Sequence, residues 1–204
     1  MDWQFELGGQ SWKVVENCEK SKMIFVVPIG GISESFWKSP VLCNRETKII
    51  KKVKSILNGH KNYSYLSEQA MEKLNEYRIM YKQCGLARDS FIQSSDGSII
   101  RYFPWVGTKE MQALKYALRK KGIECEIKLP GIWIGISTKV DKDCIAEIVK
   151  QIIQQKEYNF EDFSELINEN ILGKYNEFIP EELLREQFFV DGMDFINLRK
   201  YVEI

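Results

Sequence analysis

The stretch from Ser98 to Ile136, SIIRYFPWVGTKEMQALKYALRKKGIECEIKLPGIWIGI, changes its hydrophobic period twice, and few folds accommodate that. Ser98 to Phe103 is β-branched and aromatic, as a strand requires, and Pro104 and Gly107 punctuate it. Thr108 is placed as a helix N-cap, and Met111, Leu114, Ala117 and Leu118 then recur at helical spacing. Arg119, Lys120 and Lys121 suit a helix C-terminus, and Gly122 closes it. Glu124 to Leu129 and Ile132 to Ser137 alternate like paired strands around a Pro130-Gly131 turn. A further helix is expected from about Asp141 to Ile153, with Ile145, Ile148, Val149 and Ile152 facing inward and Thr138 with Asp141 as its capping pair. Strand, helix, strand, strand, helix is most of a split β-α-β sandwich.

The remaining chain is read around that unit. Residues 1–43 contain short strands separated by glycine and polar turns, which suggests a curled sheet or partial barrel with Trp12 and Trp37 as core or plug residues. Residues 45–58 are expected as a helix ended by Asn58-Gly59. Ile49, Ile50, Val53, Ile56 and Leu57 lie on one side, and Lys48, Lys51, Lys52 and Lys54 on the other. A longer helix capped by Ser67 and closed by Gly85 carries the stripe Leu66, Ala70, Leu74, Tyr77, Tyr81 and Cys84, expected to lie across the sheet. Ser95-Asp96-Gly97 marks a hairpin before the central stretch. In the tail, Pro180 is placed as the first helical residue, Glu181 and Glu182 suit the first turn, and Leu183, Leu184, Phe188 and Phe189 need a surface to cover them. The expected class is therefore α+β: a small N-terminal β unit followed by an antiparallel sheet packed with helices. The boundary is placed at residue 59, giving a β unit plus basic helix (1–59) and an α+β domain with C-terminal helices (60–204).

Several chemistries have no support in the residues. Lysine plus arginine equal aspartate plus glutamate at 29 each, so any binding of nucleic acid must come from local clusters. The five cysteines form no CxxC pair and are expected as free thiols of a reducing compartment, packed as small core residues. A single histidine, His60, excludes multi-histidine zinc sites and sits among polar turn formers. No GxxxxGK[ST], GxGxxG or GxSxG occurs, and the acidic pairs Glu181/Glu182 and Asp191/Asp194 stand where helix ends use acids. The N-terminus lacks a basic-then-apolar leader, and no apolar run approaches the roughly 20 residues of a membrane span. A cytoplasmic protein without membrane contact, catalytic residues, metal or cofactor is expected.

Two features could carry function. The face formed by Lys48, Lys51, Lys52 and Lys54 is the most one-signed patch in the chain and could face phosphates. Gly107 and Thr108 sit where a strand hands over to a helix, so first-turn amides there could hold an anion, with Lys109 adding charge and Trp105 either stacking on a base or lying in the core.

At this point the chain resembles a known family. RYFPWVGTKEMQALKYALRKKGIECE is similar to a segment of the large helicase-related (Lhr-type) DEAD/DEAH-box helicases, in which a strand leads through a W-x-G-T turn into a Leu- and Ala-rich helix. GKYNEFIPEELLREQFFVDGMDF resembles that family's K-[FY]-x-x-[FY]-[LIV]-P-x-E-L-[LA] motif, and LGGQSWKVVENCEKSKMIFVVPIGGISESFW its G-x-x-W-x-V segment, with Ile-Ser-Glu-Ser where the family tends to have prolines. The three occur in the family's order over nearly the whole chain. The resemblance implies a non-catalytic C-terminal accessory region, or a stand-alone relative, that helps a motor hold single-stranded or forked DNA, with RNA as a further substrate to consider. Its partners would be the helicase motor and winged-helix domains, and ATP and Mg would belong to those motor domains. A second possibility, from zero net charge and aromatics near 188–195, is a protein-interaction or structural module that docks on a motor or another partner.

Overall fold

The computed structural model describes residues 4–7, 10–18, 21–29, 44–94, 98–128, 133–137, 140–168 and 176–202. The chain divides into two compact units, residues 1–41 and 42–204. Expectations for Trp37, Cys43, the Gly8-Gly9 and Gly30-Gly31 turns, the Asp96-Gly97 and Pro130-Gly131 turns and Thr138 lie outside the described residues.

The first unit is an antiparallel meander of β1 (Gln4–Leu7), β2 (Gln10–Cys18) and β3 (Met23–Ile29), in that order. Phe5 pairs with Trp12 and Lys13 with Val27, and a bulge between Val14 and Glu16 bends β2. Pro28 lies on β3, an edge strand, where its missing N–H is tolerated. The described strands form an open sheet, not a closed barrel.

In the second unit, α1 (Thr47–Asn58) and α2 (Glu68–Gln83) precede β4 (Phe91–Gln93) and β5 (Ile99–Tyr102). They are followed by α3 (Thr108–Lys120), β6 (Cys125–Lys128), β7 (Trp133–Ser137) and α4 (Lys142–Gln154). A 3-10 turn at Phe160–Asp162, α5 (Glu181–Gly192) and α6 (Phe195–Tyr201) complete it. The sheet order is β4-β5-β7-β6, with every neighbouring pair antiparallel. β5 and β6 are thus parallel, α3 crosses between them, and β7 is inserted in the gap: the split β-α-β arrangement.

Alternation along the strands decides what each face does. Ile100, Tyr102, Ile134 and Ile136 are fully buried beneath α3, whose Met111, Leu114, Ala117 and Leu118 complete that core. α4 adds Ile145, Val149 and Ile152, and the tail adds Phe163, Phe188 and Leu198. Phe91 stacks on Tyr102 with centroids 4.4 Å apart. The opposite face carries Ile92 and Trp133, which join a smaller cluster of Ile50, Tyr81, Phe103 and Trp105 under the α1–α2 hairpin.

Five local expectations are revised. The unit boundary falls before α1 rather than after it, because Thr47 and Ile50 are buried against the second unit. α2 does not lay a continuous stripe on the sheet: Ala70 and Cys84 are exposed, and Arg78 is buried instead, donating to the carbonyls of Ile56 (3.1 Å) and Lys61 (2.9 Å) to pin α2 to α1. Gly107, not Thr108, is the N-cap of α3, and Pro180 is the N-cap of α5 rather than its first helical residue. Cys84 and Cys144 are exposed and Cys18 half-buried. Of the four described thiols, all free, only Cys125 is a core residue. Ser67 does cap α2, accepting from the Ala70 amide at 3.2 Å, and Gly85 and Gly122 take the left-handed φ of 82° and 79° that helix ends favour.

Candidate functional site

The start of α1 and the start of α3 are latched to each other by four polar contacts. Thr47 Oγ1 donates to Glu110 Oε1 at 2.7 Å and accepts from the Gly107 amide at 2.8 Å. Thr108 Oγ1 accepts from the Arg45 amide at 2.9 Å, and the Thr108 amide donates to the Arg45 carbonyl at 2.9 Å. Thr47 and Glu110 are both buried, so each polar group needs these partners. Gly107 has an ordinary φ of −73°, and glycine is required there for space. A Cβ would press into the Arg45 carbonyl oxygen and fall 2.8 Å from the Thr47 nitrogen.

This latch corrects the expectation for Gly107 and Thr108. Their amides are turned inward onto Thr47 and Arg45, and the Glu110 carboxylate occupies the dipole-favoured position at the helix start. Trp105 is corrected as well: it is 1% exposed, edge-on to Tyr81 at 5.9 Å, and cannot stack on a base at the surface. Lys54 follows it, with its ammonium 5.4 Å from the Trp105 ring centroid, so its chain packs toward that cluster. Lys52 remains on the exposed side of α1.

Lys48, Lys51 and Lys109 are brought together. A cleft of about 590 Å³ opens above the latch, walled by Arg45, Lys48 and Lys51 on one side, Lys109 on another, and Asn197 and Tyr201 of α6 on a third. The acids in its wall are each engaged. Glu46 pairs with Lys48 at 2.8 Å, a hydrogen bond and charge contact that raise the Lys48 pKa. Glu110 holds Thr47, and Asp194 caps α6 by accepting from the Asn197 amide at 2.8 Å. The Asp194 amide in turn donates to the Lys109 carbonyl at 3.2 Å, which ties α6 to α3. A second cleft of about 530 Å³ shares Lys109 and Asp194 with the first and adds Lys156 and Arg199. The first cleft gathers cationic side chains from α1 and α3. Thr47 and Glu110 in its wall are buried and committed to the latch, and among the described residues no group of three or more His, Cys, Asp or Glu is set to hold a metal. Burial pushes the Cys125 thiol up to about 12, leaving it a neutral core group.

Arg45, Asn197 and Tyr201 had no local signal in the sequence. They join the cleft through the Arg45–Thr108 contact, 63 residues apart in the chain, and through α6, whose position depends on the α3 core. No helix among the described residues is long and apolar enough to cross a membrane. Comparison with protein-family models, with curated proteins and with solved structures returns no match to this chain.

Proposed function

We propose that this chain is a non-catalytic strand-binding domain of a DNA helicase, holding single-stranded or forked nucleic acid beside the motor. One observation carries the binding part: Arg45, Lys48, Lys51 and Lys109 converge on one cleft whose acids are already engaged. Four cations against the three carboxylates Glu46, Glu110 and Asp194 leave this cleft a small local positive excess although the chain is neutral overall. The link to a helicase motor rests on the family resemblance.

The test is fluorescence anisotropy of the chain with a labelled single strand and a labelled fork across a salt series. Lys51→Glu with Lys109→Glu should abolish salt-sensitive binding, while Lys52→Glu, outside the cleft, should change it little. At about −0.7 per contacted phosphate, four contacts predict a log–log salt slope near −3 on single strands. Unchanged binding by the double variant would remove the cleft from the interface.

A docking role is favoured by a separate observation. Ile49, Val53, Tyr77, Ile79 and Met80 on the α1–α2 hairpin are each at least 40% exposed. Association through these residues would be nearly independent of salt, so the same titration separates the two.

A further inference from the structure

We propose that the sheet face opposite α3 holds a second binding position, built on Trp133 with Arg101 and Lys128, that stacks an unpaired nucleobase and pairs its phosphates. The proposal rests on the strand-binding function above but uses none of the cleft residues.

The register brings these residues together. Arg101 of β5 pairs with Gly135 of β7, and Lys128 of β6 pairs with Trp133 of β7. All four therefore lie on the face that does not meet α3. Gly135 leaves the space that its neighbours fill: a Cβ there would lie 3.2 Å from the Trp133 ring and 3.3 Å from the Lys128 chain. The indole and the lysine stem thus lie down over the glycine. The Arg101 guanidinium sits over the indole, 5.5 Å from its centroid. Phe103, itself buried, stacks on Trp133 from the hairpin side at 6.1 Å, and Trp105 backs Phe103 at 5.9 Å. Trp133 is the partly buried outer end of this aromatic row, with Arg101 over its ring and buried rings behind it.

Charge selects the occupant. Arg101 and Lys128 are exposed cations. The acid of the same face, Glu126, is engaged by Lys115 at 3.7 Å and by Arg119. A planar ring flanked by two cations fits a planar ligand that carries negative charge, and an unpaired nucleotide has both parts. Bases in single strands stack on aromatic rings and guanidinium planes displayed on sheet faces. A purely apolar protein segment would find Arg101 and Lys128 in its way.

The experiment uses the full chain and two labelled strands of equal length, oligothymidylate and its abasic counterpart, measured by anisotropy at low salt. The wild-type protein should bind oligothymidylate more tightly than the abasic strand. Trp133→Leu should weaken oligothymidylate binding roughly tenfold and leave the abasic strand unchanged, and Trp133→Phe should restore most of the loss. Arg101→Gln, at an exposed position that leaves the core intact, should produce a smaller loss in the same direction. The proposal is overturned if wild-type protein binds both strands equally and Arg101→Gln binds both like wild type, an outcome in which the Lys51/Lys109 cleft still stands. Absence of binding to either strand overturns strand binding itself, and this position with it.

Discussion

The two faces of the four-stranded sheet are made from the same strands and do opposite work. Beneath α3, Ile100, Tyr102, Ile134 and Ile136 are fully buried and only apolar shape matters. On the other face the residues one position away are Ile99, 44% exposed, Arg101, and Trp133 over Gly135. The α1–α2 hairpin covers that face at the Phe103 end, through Ile50 and Tyr81. The difference shows how period-two alternation lets one strand serve a core and a surface at once. It also shows that this unit builds its larger core on one face and only a smaller cluster, under the hairpin, on the other.

The largest expected contrast tests this directly with neighbours in β5. Ile100→Ala removes a fully buried side chain and should cost about 3 kcal/mol in urea denaturation. Ile99→Ala, at a half-open position, should cost less than about 1 kcal/mol. Equal losses would mean that the second face is as closely packed as the first.

The glycines give the next contrast. Gly107→Ala drives a Cβ into the backbone of Arg45 and Thr47, which cannot move without breaking the latch, and should cost roughly 2–3 kcal/mol. Gly135→Ala meets only the Trp133 ring and the Lys128 chain, which can shift, and should cost under about 1 kcal/mol. Thermal melts of the two variants should separate clearly, and a G107A protein as stable as wild type would sink the latch as described.

The smallest effect concerns pH. Lys142 at the start of α4 pairs with Asp89 at 2.5 Å. Burial pushes the Asp89 carboxyl up, but Lys142 and the Phe91 and Ser90 amides outweigh it and leave the pKa below the ordinary value. The Asp89 hydrogen bond, then its charge, raises Lys142. The Asp89 contribution is therefore present above the unfolded carboxyl value of about 3.9 and is lost as pH falls through the depressed folded value. The Lys142 contribution is present below about 10.4 and is lost as pH rises through its raised folded value. Both side chains are more than a third exposed, so Asp89→Asn should lower stability near neutrality by less than about 1 kcal/mol and flatten both limbs of the pH profile. A variant profile that kept the same acid and alkaline limbs would assign them to other groups.

Local pattern was enough wherever neighbours in sequence decide structure. The periods of Ile99–Tyr102, of Met111–Leu118 and of Trp133–Ile136 specified strand, helix and strand. Ser67, Gly85 and Gly122 marked helix ends through local hydrogen bonds and backbone freedom. The α+β class and the split crossover followed from the order of those elements. The basic side of α1 was legible for the same reason, since residues three and four apart share a helix face.

Tertiary structure decided what those faces meet. Nothing local distinguishes Lys51, which lines the cleft, from Lys54, which lies over the buried Trp105. The Gly107-Thr108 turn reads as an anion site until Thr47 and Arg45, some 60 residues away, take up its amides. Trp105 and Trp133 look alike in sequence, yet one is fully buried in the hairpin cluster and the other lies only partly buried at its edge beside Arg101. Hydrophobic period depends on spacing along the chain, whereas exposure and hydrogen-bond partners depend on which distant segment arrives, and only packing sets that.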